Sequence, residues 1–444
     1  MSMLAPAWTG LPHAAPAGES GLPRILPPAS ETAAAQAQAG LDFAAHLRRH
    51  GLPRFRGAAL IEQAGAAGLT GRGGAAFPAA RKLAAVAAAG PSAIVVGNAA
   101  EGEPASSKDA ALLWLAPHLV LDGLQAAAEA VGARTAYLCL HAAPRRGSDL
   151  AGHVRAALAS RLAAGTDRVG VQLVELPARF LAGEETALVA RINGGPARPR
   201  DKARRVFERG VDGRPTLVQN VETLAHLALI ARHGAAWFRS VGTADEPGSV
   251  LCTVRGPDGR ARVVETALGT PLGRLLPLGD DVGAVLAGGY HGGWLTLDEA
   301  RRLSLCNADL RPAGAFVGAG VLVALPAAYC GLAETAEVAR SLALESAGQC
   351  GPCFNGLPAI ATALAAVARP RPAERDLASL RRWAGLVTGR GACHHPDGTV
   401  RFVASALRVF AAEIAEHSRG RCTATRREQF LPIPAAPLTE LDWR

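Results

Sequence analysis

Three lysines, Lys82, Lys108 and Lys202, stand in a chain whose other basic residues are all arginine. Lys82 and Lys108 lie four positions beyond clusters rich in glycine or acid at 68–78 and 97–104, and Lys202 lies sixteen beyond a third at 183–186. A compact ammonium on a flexible stem pairs differently from a planar guanidinium fork, so the retained lysines mark candidate chemistry. In the first cluster Gly71, Gly73 and Gly74 can bring backbone N–H groups close to an anion, and Arg72 and Lys82 add positive charge. That combination suits a nucleotide or flavin phosphate. Gly71, Gly73 and Ala76 also fit G-x-G-x-x-G/A, but the element expected before this loop is a helix, where the dinucleotide fingerprint needs a strand. An unrelated phosphate-cradling loop is the better reading, against a plain glycine-rich hinge. Glu101 and Glu103, just after a predicted strand, offer carboxylates to ribose hydroxyls or ring N–H groups, and Glu184 and Glu185 repeat that chemistry after another. Acidic pairs in loops are commonly only solvated, so their weight comes from recurrence beside the lysines.

A second constellation is made of sulfur. Cys350-Gly-Pro-Cys353, with Cys393-His394-His395 further on, can hold an iron–sulfur cluster or a zinc ion; Cys-Gly-Pro-Cys alone can form a redox disulfide. The disulfide reading lacks the strand that precedes a thioredoxin-like motif and leaves Cys393 unexplained. Cys139, Cys252, Cys306, Cys330 and Cys422 show no ligand spacing; the first four read as core thiols and Cys422 as a tail thiol.

Length and composition fit a soluble, cytoplasmic protein of several domains. At about 100 to 200 residues per domain the 444 residues allow two to four, and a 49% hydrophobic content fills several cores. The net charge of +9 favours an acidic partner or an anionic ligand. Aromatic residues make up only 5% and do not interleave with the arginines, which argues against nucleic acid. No basic segment followed by an apolar run opens the chain, and eight dispersed cysteines do not suggest a disulfide scaffold. The uncharged stretch 312–332 is broken by glycine and proline and reads as strand, turn, strand rather than a membrane span.

The elements that must position these residues follow from periodicity. Residues 1–40, rich in Pro, Ala and Gly, are predicted to be a flexible arm or one that wraps a neighbour. Two short helices are expected within 41–67, strands at 93–97, 135–141 and 169–176, and one long helix over 110–132. This alternation implies an α/β layer domain over 41–245. Residues 246–330 read as a small β domain with a hairpin turning at 256–259. Helices are expected at 333–346, 357–367, 374–387 and 399–415, a bundle within 331–417, before a basic, proline-rich tail over 418–444 with no core to join.

Taken in order with Gln219-Asn220-Val221-Glu222-Thr223-Leu224 and the C-terminal cysteines, the clusters resemble the NADH-oxidising flavoprotein subunit of respiratory complex I. Relatives of that subunit serve NAD-linked hydrogenases and formate dehydrogenases. The resemblance covers residues 40–415 and implies an FMN-binding α/β domain, a β-grasp domain of the soluble-ligand-binding type, and a helical bundle carrying a [4Fe–4S] cluster. It implies that Gly71, Arg72, Gly73, Gly74, Lys82, Asn98, Glu101, Phe180, Glu184, Asn220 and Thr223 surround FMN. Phe77, Glu103, Glu185 and Lys202 would face the nicotinamide nucleotide, with Glu184 and Glu185 as the catalytic carboxylates. Cys350, Cys353 and Cys393 would bind the cluster.

Departures from the family pattern carry information too. Ala100 replaces an aspartate, Ala85 an aromatic of the nicotinamide pocket, and Ala203-Arg204-Arg205-Val206 a proline-rich turn. Ala347 replaces the first cluster cysteine, leaving three thiolates for a [3Fe–4S] cluster, a [4Fe–4S] cluster with His394, His395 or water as fourth ligand, or no stable cluster. Arg204 and Arg205 offer donors to a 2′-phosphate, so NADPH stands beside NADH as substrate. The expected activity is that of an NADH dehydrogenase-type oxidoreductase passing electrons to an acidic ferredoxin-like carrier, a quinone-linked acceptor or a partner redox subunit, with any tie to a membrane complex peripheral. The alternative is a scaffold or electron conduit of the same fold that oxidises no pyridine nucleotide.

Overall fold

The computed structural model describes residues 10–13, 21–27, 40–90, 92–142, 149–201, 205–434 and 443. Lys202 and Arg204 lie outside them. The strands are β1 Gly10–His13, β2 Ile94–Ala99, β3 Thr135–His141, β4 Val171–Leu176, β5 Thr216–Asn220, β6 Ser249–Arg255, β7 Ala261–Ala267, β8 Val282–Ala287, β9 Gly293–Thr296 and β10 Val321–Pro326. The helices of eight residues or more in the first half are α1 Phe43–His50, α2 Gly57–Ala67, α3 Ala79–Ala88, α4 Lys108–Leu115, α5 Pro117–Val131, α6 Leu150–Ala164, α7 Glu185–Ile192 and α8 Val221–Phe238.

Strands β2 to β5 form a parallel sheet in the order β4-β3-β2-β5. Apolar runs such as Ile94-Val95-Val96 suit strands covered on both faces. On one face Leu60, Leu83, Leu124 and Leu217 pack from α2, α3, α5 and β5; on the other Ile94 and Val96 meet Leu188 of α7. The chain proceeds outward from β2 to β4 and returns to the far side of β2 as β5. The crevice beyond the ends of β2 and β5 is therefore the topological switch point, where open α/β sheets take their ligands.

The helix expected over 110–132 is two. Pro117 holds Ala116 out of helical geometry (φ −143°, ψ 52°) and starts α5 afresh, at 97° to α4. Among the described residues no single helix is long and apolar enough to cross a membrane.

The second sheet is mixed, in the order β1-β7-β6-β10-β8-β9. Its β6–β7 hairpin turns where the sequence predicts, with Gly259 at φ +77°. The stretch 312–332 gives one strand, β10, not two; Gly314, Gly318 and Gly320 all take positive φ and hold the preceding segment in turns. The C-terminal helices are α9 Gly331–Leu344, α10 Leu357–Val367, α11 Glu374–Val387, α12 His395–Val409 and α13 Ala411–Ser418. The helix expected over 399–415 is divided at Phe410 into α12 and α13.

Where they are described, both termini pack on the rest of the chain. Strand β1 extends the second sheet beside β7, and buried Glu265 accepts the backbone N–H groups of Arg24, Ile25 and Leu26 at 3.0, 2.9 and 3.1 Å. In the tail, Glu334 of α9 accepts from Phe430 N and Leu431 N at 3.0 and 2.8 Å. Trp443, 3% exposed, packs on Leu181 and Ala347, with the Arg179 guanidinium 4.2 Å from its ring centroid.

Candidate functional site

Asn98 and Asn220 are paired residues at the C-terminal ends of β2 and β5. Asn220 Oδ1 accepts from Glu222 N at 3.0 Å and caps α8, while its Nδ2 donates to Asp109 Oδ2 at 2.7 Å and to Asn98 O at 3.4 Å. Asn98 Nδ2 donates to Gly183 O at 2.9 Å, which fastens the 183–186 cluster to the sheet. The glycine loop closes on itself through Gly71 N to Phe77 O at 2.9 Å and reaches the same place through Arg72 N to Thr223 Oγ1 at 2.9 Å. All three lysine-flanked clusters, with Asn220 and Thr223, thus meet at the switch point.

Close approach explains the glycines. A Cβ on Gly73 would lie 3.2 Å from Asn220 Cβ, one on Gly183 2.4 Å from Ala100 O, and one on Gly102 2.2 Å from Phe180 O. Gly74 has φ +107°, a conformation that side chains resist. A backbone cradle of this kind beside Lys82, which keeps 21% of its side chain exposed, fits a flavin phosphate. Gly71, Gly73, Gly74 and Lys82 are the residues that would hold it.

Not every predicted side chain faces that crevice. The Arg72 guanidinium turns inward to Thr70 Oγ1 at 2.9 Å and Pro247 O at 3.3 Å, tying the loop to the segment that precedes β6. Glu101 accepts from Ser106 Oγ and from the N–H groups of Asp109 and Ala110 at 3.2 and 3.3 Å, so it caps the start of α4. Burial, with Asp109 close by, raises its pKa. Glu103 accepts from Tyr290 N at 2.7 Å and anchors the Gly288–Tyr290 turn. Glu184 caps α7 through Thr186 N and Ala187 N at 2.8 and 3.3 Å, and Glu185 pairs with Lys82 at 3.1 Å. Phe77 is 50% exposed, an open aromatic face with the Arg81 guanidinium 5.7 Å from its centroid. Lys202 lies outside the described residues.

Lys108 has a role its sequence context did not reveal. It is 3% exposed and donates to Asp109 Oδ1 at 2.7 Å and Glu222 Oε2 at 2.8 Å. Burial opposes its charge, but the two carboxylates outweigh burial and raise its pKa above the ordinary lysine value. They share one ammonium, so burial still pushes Glu222 up. Glu222 Oε1 also accepts from Leu251 N at 2.8 Å, so the network braces the site against β6. A lysine–aspartate pair at adjacent positions was the available signal.

At the cysteine site Cys353 is buried beside the Cys350 and Cys393 thiols, and burial followed by Cys350 pushes its pKa up to about 12. Ala347 packs on Leu181 and Trp443, an apolar contact with no donor to a metal. His395 is engaged at both ring nitrogens: Nε2 with Leu342 O at 2.9 Å and Nδ1 with His291 Nε2 at 3.0 Å. A carbonyl only accepts, so Nε2 carries the proton and Nδ1 takes one from His291. His395 is therefore withdrawn as fourth ligand, while His394 stays exposed at the start of α12. Phe180 bridges toward this region, its ring 4.9 Å from His291 and 5.7 Å from His395 by centroids. Cys139, Cys252, Cys306 and Cys330 are buried thiols as expected, and Cys330 has the tail thiol Cys422 as a neighbour, which spacing did not show.

Residues 64–229 match the model of the Nuo51 FMN-binding domain, and residues 333–417 that of the NADH-ubiquinone oxidoreductase-F iron-sulfur binding region. The chain is 30% identical over 376 residues to the F 2 subunit of NADH-quinone oxidoreductase in Rhizobium meliloti (strain 1021), covering 82% of this chain and 89% of that one. It is 30% identical over 378 residues to the F subunit of the same enzyme in Streptomyces coelicolor (strain ATCC BAA-471 / A3(2) / M145), covering 82% and 83%. Among solved structures it resembles an NAD+-reducing [NiFe]-hydrogenase in the H2-reduced state, with a TM-score of 0.72 and 29% identity; the match covers 84% of this chain and 63% of that one. The air-oxidized form gives a TM-score of 0.75 and 28% identity, covering 91% and 68%. With 30% identity sustained over 82% of its length, and with both regions matched in order, the chain belongs to the family of NADH-quinone oxidoreductase F subunits.

Proposed function

We propose that the chain is an NAD(P)H-oxidising flavoprotein subunit of the NADH dehydrogenase type, with FMN at the mouth of β2 and β5. The observation that carries this reading is the convergence of the glycine loop, Asn98, Gly183 and Asn220 at the switch point of a parallel sheet. Bound flavin supplies the conversion between two-electron hydride chemistry and one-electron transfer. Backbone N–H groups of the glycine loop and Lys82 bind its phosphate, and Asn98 and Asn220 fix the floor. Arg72, Glu101 and Glu184 hold the walls in shape from behind. Exposed Phe77 and partly exposed Glu185 form the nucleotide side, and buried Glu103 holds the Gly288–Tyr290 turn behind it.

Cys350, Cys353 and Cys393 would hold an iron–sulfur centre whose fourth position is not a thiolate. The mixed sheet β7-β6-β10-β8-β9 serves as a β-grasp spacer between the two sites. The acceptor is an acidic ferredoxin-like carrier or a partner redox subunit, favoured by the +9 charge. Anaerobic titration of purified protein with NADH, and separately NADPH, tests the reading. Bleaching of the flavin bands by either nucleotide is the expected result. A preparation with flavin that neither nucleotide bleaches, or with no flavin after reconstitution, establishes the non-oxidising scaffold instead.

A further inference from the structure

We propose that Cys330, Glu413, His417 and Cys422 form a four-coordinate zinc site that ties the head of the helical bundle to its last helix and to the tail. Their ligand atoms all lie within 4.8 Å of one another. Cys330 Sγ is 3.8 Å and Glu413 Oε1 3.0 Å from His417 Nε2. Glu413 and His417 are i and i+4 on α13 and so share a face. Cys330 precedes the first residue of α9, and Cys422 follows the turn at Gly420, whose φ is +80°.

The orientation of His417 is the telling feature. Its ring is fully buried, and Nδ1 lies 3.3 Å from Val367 O. That carbonyl can only accept, so Nδ1 carries a proton and Nε2 is the nitrogen that faces Glu413 and Cys330. Between Nε2 and the carboxylate oxygen 3.0 Å away stands either a second ring proton or a metal ion, and the two thiols beside them supply what a metal ion needs. Histidine ligands are commonly oriented in this way, by a carbonyl on the far nitrogen.

Two sulfurs, one imidazole nitrogen and one carboxylate oxygen match zinc, whereas calcium and magnesium select oxygen throughout. Four protein ligands leave no open position, which marks a structural rather than a catalytic ion. Thr423 supports the carboxylate, donating from N to Glu413 Oε1 at 2.9 Å and from its hydroxyl to Oε2. Burial raises the pKa of the Cys330 thiol, so the ion itself must displace its proton. Partly exposed Cys422 and Glu413 give the ion a way in. Binding expels the two thiol protons and transfers no electrons. None of these ligands belongs to the Cys350, Cys353 and Cys393 set, so this site stands or falls apart from the iron–sulfur centre and the flavin.

Metal analysis of full-length protein purified anaerobically tests the assignment. About one zinc per chain is expected, lost in Cys330→Ser and in Cys422→Ser and kept in Cys350→Ser, with iron unchanged by the first two. Cobalt added to chelator-treated protein should give a thiolate charge-transfer band in the difference spectrum, absent in Cys422→Ser. That variant changes a partly exposed position and remains informative if Cys330→Ser fails to fold. Wild-type protein that takes up neither zinc nor cobalt would leave an imidazolium–carboxylate pair and overturn the proposal. Zinc that is lost with Cys350, or a Cys330–Cys422 disulfide in the anaerobic protein, would overturn it equally.

Discussion

Lys82 Nζ stands 3.1 Å from Glu185 Oε2, an ion pair that joins the helix after the glycine loop to the helix after β4 across the mouth of the sheet. Both side chains keep some exposure, 21% and 29%, so the pair adds little to stability and leaves the ammonium reachable by an anion. Replacing Lys82 by Met should therefore separate binding from folding. We expect FMN affinity to fall at least about tenfold, equivalent to ~1.4 kcal/mol, while unfolding free energy changes by under about 1 kcal/mol. Flavin fluorescence titration and denaturant unfolding measure the two. A Lys82→Met protein that binds FMN with wild-type affinity removes Lys82 from the phosphate site.

Gly73 tests the cradle itself. Its absent Cβ would sit 3.2 Å from that of Asn220, and the branches of valine would push further toward the cap of α8. Gly73→Val is expected to abolish FMN retention through gel filtration, with an overpacking cost of about 1–3 kcal/mol. Gly170→Val, at a position with open space around it and no positive φ, is the matched control for added bulk alone. Retention of flavin by Gly73→Val would place the phosphate elsewhere.

Much of this architecture is legible in the sequence, for identifiable reasons. The strand Thr135–His141 and the helices Leu357–Val367 and Glu374–Val387 end where their apolar periods end. The switch-point asparagines stand out because each follows a buried strand and precedes a loop or helix. Other features depend on partners far away in the chain. Trp443 is buried only because Arg179, Leu181 and Ala347 come together beneath it, and periodicity in a proline-rich tail cannot report that. Arg72 looks like a phosphate ligand until the segment before β6 supplies Pro247 O to its guanidinium. The i, i+4 pair Glu413 and His417 was a readable metal signal, but its cysteines lie in other segments.

The buried trio Lys108, Asp109 and Glu222 predicts a stability effect of opposite kind to that of Lys82. Removing the cation by Lys108→Met leaves two carboxylates without their shared partner in the interior, and a loss of about 3–5 kcal/mol is expected. The pH dependence follows from the raised pKa of Lys108. A cation whose folded pKa exceeds its unfolded value of about 10.4 contributes its full stabilisation below that pH and loses it as pH rises through the folded pKa. Wild type should accordingly lose stability above about pH 10.4 more steeply than Lys108→Met. Denaturant unfolding across that range measures the difference, and parallel curves would show that Lys108 is not held charged by the trio.

Ala347 decides what the cysteine site can hold. Cys353 lies beside Cys350 and Cys393, but the position of a fourth thiolate is taken by a methyl group 8% exposed and packed on Leu181 and Trp443. With His395 occupied at both nitrogens, a non-cysteine ligand would have to come from exposed His394 or from water. Ala347→Cys should raise the iron content of anaerobically reconstituted protein by about one per chain and lower the reduction potential, since a fourth thiolate adds negative charge to the cluster. The new sulfur must share space with the Trp443 indole, where overpacking costs about 1–3 kcal/mol. Ala347→Cys combined with Trp443→Ala relieves that crowding, so the double variant should gain iron even if the single variant does not. Iron and acid-labile sulfide assays with potentiometric electron paramagnetic resonance read the result. No iron in wild type, and none gained by either variant, would show that Cys350, Cys353 and Cys393 no longer bind a cluster.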